Sequence, residues 1–241
     1  MNQNRLMAFS SSRVGNSGYL ETVLPVIKAF LGERSLQIAF IPFAAIGNEY
    51  EEYTSMVRKG LETLPHTIDT VTPANAKALI EKAAVIMVGG GNTFKLLHDI
   101  YAFKLLDIIR DKVNSGVPYI GWSAGANITG PTIGTTNDMP VIAPPNFNAL
   151  GLLPFQINPH YTNAKPPGHN GETRDQRLQE FLLVNPGVPI VGMPEGTALR
   201  LDKGVLELIG PVPAILFSRE VDDQASTRKE IQPGENCSFL L

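Results

Sequence analysis

Ser123 stands in a sequence that suits a serine nucleophile. Residues 117–127 read Val-Pro-Tyr-Ile-Gly-Trp-Ser-Ala-Gly-Ala-Asn, an apolar run that leads into Gly-x-Ser-x-Gly and then into small residues suited to a helix start. Such a tight strand-to-helix turn exposes the serine, and its flanking glycines avoid steric clashes. The backbone N–H of Ala124 would then point toward a developing oxyanion. The motif predicts acyl transfer through Ser123, although a chance match is the alternative for so short a pattern.

A glycine-rich turn follows the apolar run Val85–Val88. Gly89, Gly90 and Gly91 precede Asn-Thr, a pair that suits a helix start. Bare glycine backbone can approach a ligand closely, and the segment matches neither G-x-G-x-x-G nor G-x-x-x-x-G-K-[ST]. We therefore expect this turn to supply a second oxyanion donor rather than to bind a nucleotide. A simple chain reversal is the alternative.

A serine nucleophile needs a general base, and the chain offers four histidines. We expect His66, near a helix end, and His98, inside a helical segment, to be structural. His160 and His169 lie in the long Pro- and Gly-rich stretch 130–171, where site residues are expected. His160 directly follows an apolar run that could end a strand. Because ordered positions suit catalysis, His160 is the predicted base and His169 the weaker candidate.

Two carboxylates are candidates for orienting the imidazole. Glu195 directly follows the predicted strand Val188–Met193 and stands between proline and glycine, a rigid setting for a group that must hold one tautomer. Asp138, in Thr-Thr-Asn-Asp-Met-Pro, would give the Ser, Asp, His order of α/β-hydrolases. If Asp138 were the orienting acid, the strands predicted after residue 188 would carry no catalytic residue. We rank Glu195 first and keep Asp138 as an additional acid candidate.

The order of segments predicts a three-layer α/β fold, with a mostly parallel sheet flanked by helices. Short apolar runs alternate with segments of helical period, as in β-α units, and closely spaced late strands predict an antiparallel extension. We expect a single domain over residues 1–241, with a tail from about residue 219. The predicted strands are Leu6–Phe9, Leu36–Phe43, Ala84–Val88, Pro118–Gly121, Val188–Met193, Ala198–Leu201, Val205–Ile209 and Ala214–Ser218. The predicted helices are Tyr19–Leu31, Tyr50–Leu64, Asn75–Lys82, Leu105–Ser115 and Glu172–Val184.

Composition narrows the class of partner. The chain has 241 residues and a net charge of −3, with acidic and basic residues spread along it. This even charge distribution contains no basic patch that could bind nucleic acid or an anionic membrane surface. No sequence window approaches the ~20 apolar residues of a membrane span. The single cysteine, Cys237, cannot form an internal disulfide, and no Cys or His pairs have zinc-ligand spacing. We therefore expect neither secretion nor membrane insertion, no structural zinc site, and a small molecule as the partner.

Several segments together resemble the peptidase E family of serine peptidases. They are 89–94 (Gly-Gly-Gly-Asn-Thr-Phe), 121–127, 135–140, 158–163 (Asn-Pro-His-Tyr-Thr-Asn), 171–174 (Gly-Glu-Thr-Arg) and 194–196 (Pro-Glu-Gly), and the likeness spans about residues 5–210. The resemblance implies a cytosolic dipeptidase for Asp-Xaa substrates, on a fold similar to class I glutamine amidotransferases and without a cofactor.

Carried over by position, the resemblance also implies roles for individual residues. Ser123 would be the nucleophile, His160 the base and Glu195 its orienting acid. The oxyanion hole would consist of the Gly90 and Ala124 amides, and Arg174 would bind the aspartyl carboxylate. An arginine suits this task because its planar fork holds a carboxylate bidentately.

Other interpretations stay open at this point. Arg174 stands beside Glu172 and Asp175, so it could instead form exposed ion pairs on a helix surface. A cyanophycinase-like hydrolase would share Ser123 and His160, and an esterase would use Asp138. A catalytically inactive binding module could also keep this fold. An amidotransferase is poorly supported, because the turn carries serine and the only cysteine is remote.

Overall fold

The computed structural model describes residues 4–47, 49–165, 167–168, 170–223 and 225–241. Within these ranges the chain forms eleven strands, seven α-helices and a terminal 3-10 helix, Ser238–Leu240. The strands are β1 (Leu6–Phe9), β2 (Gln37–Ile41), β3 (Thr67–Thr70), β4 (Val85–Val88), β5 (Tyr119–Trp122), β6 (Gln156–Asn158), β7 (Ile190–Gly192), β8 (Ala198–Asp202), β9 (Val205–Ile209), β10 (Ala214–Ser218) and β11 (Thr227–Ile231). The helices are α1 (Leu24–Leu31), α2 (Tyr50–Gly60), α3 (Ala76–Lys82), α4 (Thr93–Ala102), α5 (Leu106–Asn114), α6 (Ala124–Asn127) and α7 (Arg174–Val184).

The larger sheet has seven strands in the order β3-β2-β4-β5-β1-β8-β9. The first five in this order pair in parallel, and β8 and β9 join antiparallel at one side. Parallel strands end at the same edge, so the turns after β4, β5 and β1 lie side by side. Ligand sites of open α/β sheets occupy this carboxyl edge. The predicted α/β class with an antiparallel extension is confirmed.

A second sheet of four strands has the order β11-β10-β7-β6. Strand β6 runs parallel to β7, and β10 pairs antiparallel with both β7 and β11. The close spacing of the late strands predicts β7 and β10 in the antiparallel extension of the larger sheet. In the structure they pair in this second sheet instead. Strand β11 lies in the charged tail for which no element was predicted, and its residues 227–230 are exposed, as suits an edge strand.

Both faces of the larger sheet are buried, and this explains the apolar runs of its strands. Along β1, Leu6 and Ala8 belong to one core cluster and Met7 and Phe9 to another. Helices α1 and α2 cover the second cluster, while α3, α4 and α5 contribute to the first. The first cluster also takes in Ile157, Val191 and Leu216 of the smaller sheet. One continuous core therefore joins the two sheets and fixes their edges relative to each other.

Strand β3 and helix α7 differ from the sequence expectations for local reasons. Strand β3 has the sequence Thr-Ile-Asp-Thr and was not predicted; it is an edge strand with only two buried positions. Helix α7 begins at Arg174 rather than at residue 172, because Thr173 and Gln176 form a capping box there. This cap sets the direction in which the first turn of α7 presents Arg174.

Candidate active site

Ser123 lies immediately after β5, in the middle of the larger sheet. Its backbone is in the left-handed region, with φ +53° and ψ −111°, a strained setting for a residue with a Cβ. Its N–H donates to the Phe9 carbonyl at 3.1 Å, which holds the turn against β1. A Cβ on Gly121 would lie 2.3 Å from the Gly125 carbonyl oxygen, and one on Gly125 would lie 2.3 Å from that of Val88. Neither position has room for a side chain, so both must be glycine.

His160 lies between Ser123 and Glu195. Its Nε2 is 2.9 Å from Ser123 Oγ, and its Nδ1 is 3.0 Å from Glu195 Oε1. His160 lies in the loop after β6 and Glu195 in the loop after β7. These two loops converge because β6 and β7 are parallel neighbours, with Asn158 opposite Gly192. The imidazole and the carboxylate are each about half exposed, so the pair contributes little to stability. Its geometry fixes which imidazole nitrogen faces the serine.

Ser10, directly after β1, ties these two loops together. Its hydroxyl accepts the backbone N–H of His160 at 2.9 Å and donates to the Met193 carbonyl at 2.7 Å. The residue is fully buried, and His160 has φ +52°. Sequence reasoning missed Ser10, although a serine at the end of a parallel strand, beside the nucleophile's strand, is a signal that could have found it.

The glycine turn after β4 lies directly against the nucleophile. A Cβ on Gly90 would be 3.0 Å from the Cβ of Ser123, a tighter contact than most side chains make, so glycine suits this close approach. Ala124 begins α6, where the first N–H groups of a helix have no intrahelical acceptor. The structure thus brings the two backbone segments that hold Gly90 and Ala124 to either side of Ser123.

A partly buried chain of hydroxyl groups fixes the glycine turn. Tyr53 on α2 donates its O–H to the Gly90 carbonyl at 3.0 Å. The same oxygen receives Trp122 Nε1–H at 3.2 Å and the Tyr19 hydroxyl at 3.1 Å. Burial raises the pKa of Tyr53 and of Tyr19 above the usual range, so both hydroxyls stay protonated donors. No local sequence pattern indicates Tyr53, because its contact with Gly90 joins distant segments.

Asp138 lies at the start of α4 and does not contact His160. Its Oδ2 accepts the Thr93 N–H at 2.7 Å and the Thr93 hydroxyl at 2.6 Å, and the Thr136 hydroxyl lies 3.2 Å away. A carboxylate here satisfies a free N–H of the first helical turn and faces the positive end of the helix dipole. The contacts of Asp138 are those of a helix cap.

Arg174 is half-buried at the first position of α7 and donates to Asn158 Oδ1 at 3.2 Å. Among the described residues, no acidic side chain forms an ion pair with it, because Glu172 pairs with Arg177 and Asp175 with Arg228. Burial, and then the charge of Arg177, lower the pKa of Arg174, yet an arginine stays charged at neutral pH. Exposed ion pairs, the alternative interpretation of Arg174, are not what the structure shows.

Two cavities are relevant to this site, and a third, of about 240 Å³, also reaches Arg174. The first, of about 480 Å³, reaches the nucleophile. Its lining residues are Ser12, Tyr19, Ala45, Glu49, Glu52, Tyr53, Met56, Gly90, Gly91, Trp122, Ser123 and His160. The second, of about 320 Å³, is lined by residues 134–140 together with Asn158, Arg174, Arg177, Leu178 and Phe181. The two cavities share no lining residue, and the loop 158–160 contributes to both.

Two further histidines of the described residues, His66 and His98, lie outside the contacts of Ser123 and Glu195. His98 Nδ1 contacts Asp99 Oδ1 at 2.9 Å on α4, and His66 lies half-buried just before β3. His169 falls outside the described residues. Over the described part of the chain, no three His, Cys, Asp or Glu side chains gather as metal ligands would. In the same ranges no helix has the length and apolar character to span a bilayer.

Comparison with known proteins gives matches along nearly the whole chain. The family model described as Peptidase family S51 matches residues 6–209. Peptidase E of Nostoc sp. strain PCC 7120 is 46% identical over 242 residues, covering 100% of this chain and 98% of the relative. Peptidase E of Shewanella amazonensis is 49% identical over 238 residues, with 98% and 99% covered. A solved peptidase from an acI-B1 Actinobacterium shares the fold, with a TM-score of 0.64 at 17% identity over 98% of this chain and 97% of that one.

Proposed function

Because this chain belongs to peptidase family S51, we propose that it hydrolyses dipeptides with an N-terminal aspartate, using Ser123, His160 and Glu195. It is a serine peptidase of the dipeptidase type, and its substrates are peptides. The observation that carries the proposal for the catalytic residues is the unbroken contact from Ser123 Oγ through both nitrogens of His160 to Glu195 Oε1, at 2.9 Å and 3.0 Å.

The reaction follows from the direction of these contacts. His160 Nε2 accepts the hydroxyl proton as Ser123 Oγ attacks the peptide carbonyl, and Glu195 holds the Nδ1–H tautomer and balances the imidazolium. His160 then gives the proton to the leaving amine. Water enters in the second half of the cycle and releases the acyl group by the same proton transfers.

The developing oxyanion is stabilised by backbone amides. The Gly90 and Ala124 N–H groups are our candidates, since their segments flank Ser123. Each such donor typically contributes a factor of about 10²–10³ in rate. Tyr53 acts through Gly90, because its hydroxyl fixes the carbonyl of that residue.

Arg174 is our candidate for recognition of the aspartyl carboxylate. It is a half-buried cation without an acidic partner among the described residues, and Asn158 orients its guanidinium. Leaving such a charge unpaired costs about 2–5 kcal/mol, so aspartate should be favoured over a neutral residue. Rejection of glutamate would require a pocket too short for one further methylene.

A panel of small peptides tests this proposal. Asp-Leu, Glu-Leu, Leu-Asp, Ala-Leu and Asp-Leu-Ala are incubated with the wild-type protein and with Ser123→Ala, with a chelator present throughout. We expect cleavage of Asp-Leu alone, no cleavage by Ser123→Ala, and no effect of the chelator. Cleavage of Ala-Leu at the same rate would contradict the Asp preference, and activity of Ser123→Ala would contradict the nucleophile.

The cytoplasmic location remains a prediction from composition and from the family resemblance. Fractionation of cells with an antibody against the chain tests it, and recovery in the extracellular fraction would contradict it.

A further inference from the structure

The cavity of about 480 Å³ beside Ser123 and His160 has a lining that differs from that of the Arg174 cavity. From its position and chemistry we infer that it holds the leaving residue of the dipeptide, and that it favours long apolar or cationic side chains over acidic ones. This inference rests on the proposed function, because it concerns the second residue of the Asp-Xaa substrate.

The position of His160 assigns the cavity to the leaving residue. The scissile amine must receive its proton from His160 Nε2, so the leaving residue extends from that nitrogen. His160 and Ser123 line this cavity. Arg174, the candidate for the aspartyl carboxylate, lines the other cavity, which shares no residue with this one. The acyl and leaving parts of the substrate therefore have separate volumes on the two sides of loop 158–160.

The wall of the cavity is aromatic and fixed. The indole of Trp122 and the rings of Tyr19 and Tyr53 line it, with Met56 farther along α2. The Tyr53 ring packs edge-on against the Tyr19 ring at 6.3 Å, and its hydroxyl is bonded on three sides. A prearranged wall of this kind binds aliphatic chain without having to order itself. A long side chain gains contact here, whereas glycine or alanine leaves the volume unfilled.

The rim of the cavity carries negative charge. Glu49 and Glu52, at the start of α2, are exposed lining residues, and no basic side chain of the described residues forms an ion pair with either. Arg13 has its guanidinium over the Tyr19 ring at 5.4 Å, but it is not a lining residue. The lining charge is therefore acidic, apart from any proton on His160. The aliphatic carbons of a substrate lysine or arginine would pack along the aromatic rings, and its charged group would lie near Glu49 and Glu52 at the rim.

Isosteric substrate pairs separate charge from size. Asp-Gln and Asp-Glu have nearly equal volume, as do Asp-norleucine and Asp-Lys apart from the terminal ammonium. We expect kcat/KM for Asp-Gln to exceed that for Asp-Glu by about two- to fivefold per rim carboxylate, the range for exposed charges. Asp-Lys should exceed Asp-norleucine by a similar factor, and Asp-norleucine should exceed Asp-Ala by at least about tenfold because of three buried methylenes.

The matched variants are the double change Glu49→Gln with Glu52→Gln, and the control Glu62→Gln. Glu62 is exposed shortly after α2 and lines a different cavity, near His66. We expect the double variant to bring the Asp-Gln to Asp-Glu ratio close to one, while Glu62→Gln keeps the wild-type ratio. High salt should weaken the wild-type preference in the same direction.

The outcomes distinguish this inference from the proposed function. Cleavage of all the Asp dipeptides with a wild-type ratio near one, or with a ratio that the double variant does not change, overturns the leaving-residue subsite and leaves the aspartyl dipeptidase intact. Failure to cleave any Asp dipeptide overturns the proposed function and this inference together. A ratio that collapses only in the double variant supports the subsite.

Discussion

The hydroxyl oxygen of Ser10 accepts the backbone N–H of His160 at 2.9 Å. Through its second bond, to the Met193 carbonyl, the same hydroxyl reaches the loop that carries Glu195. Ser10, at the end of β1, thus fixes the relative position of the loops after β6 and β7, which belong to the smaller sheet. Because His160 has a left-handed backbone, the geometry of the imidazole depends on this support.

The first prediction concerns Ser10→Ala. The change leaves the His160 N–H and the Met193 carbonyl without their partner, and an unsatisfied buried group costs about 1–3 kcal/mol. We expect a loss of stability of that size and a fall in kcat of about tenfold or more, since small displacements of a catalytic group are costly. Urea unfolding and Asp-Leu kinetics measure both effects. Ser115→Ala, which removes an exposed hydroxyl at the end of α5, is the control; an unchanged kcat in Ser10→Ala would refute the positioning role.

The second prediction separates the two acid candidates. Glu195→Gln should lower kcat by about 10²–10⁴, because an amide cannot balance the imidazolium or select its tautomer. Asp138→Asn should leave kcat within a few-fold and reduce stability by about 1 kcal/mol through the cap of α4. Paired kinetics and thermal unfolding test this. The reverse pattern, with Asp138→Asn inactive and Glu195→Gln active, would restore the α/β-hydrolase order.

The third prediction concerns Tyr53→Phe. The change removes the hydroxyl that holds the Gly90 carbonyl and keeps the ring. We expect kcat to fall about tenfold with little change in KM, since an oxyanion donor acts mainly in the transition state. Affinity for an aspartyl boronate or another tetrahedral analogue should fall in parallel. The control is Tyr101→Phe, whose hydroxyl is exposed and bonds to Asn146. Equal affinity for the analogue in both variants would argue against the prediction.

The fourth prediction concerns Gly125→Ala. A methyl group there would lie 2.3 Å from the Val88 carbonyl oxygen, a backbone atom that cannot easily move aside, so we expect a loss of about 1–3 kcal/mol or failure to fold. Gly204→Ala is the control: it stands in open space with φ +78°, so only backbone strain applies. Urea unfolding of both proteins gives the comparison. If Gly125→Ala costs no more than Gly204→Ala, the tight approach of α6 to β4 is not required.

The sequence by itself determined the elements whose signal is local. The apolar runs of β1, β4 and β5 and the glycines around Ser123 specify strands and a tight turn through sterics alone, and they give the α/β class. The apolar run before His160 favoured it as the base, and the Pro-Glu-Gly sequence favoured Glu195 over Asp138. The family resemblance implied the same two roles. Their catalytic roles stay predictions, which the variants above test.

Tertiary structure decided what depends on distant segments. The sequence could not show that β7 and β10 leave the extension to form a second sheet with β11, because strand pairing is settled by packing rather than by local pattern. The contacts of Ser10 with His160 and of Tyr53 with Gly90 join residues 150 and 37 positions apart. Such hydrogen bonds leave no periodicity in the chain. They exist only because the packing of the two sheets and of α2 brings side chains far apart in sequence within bonding distance.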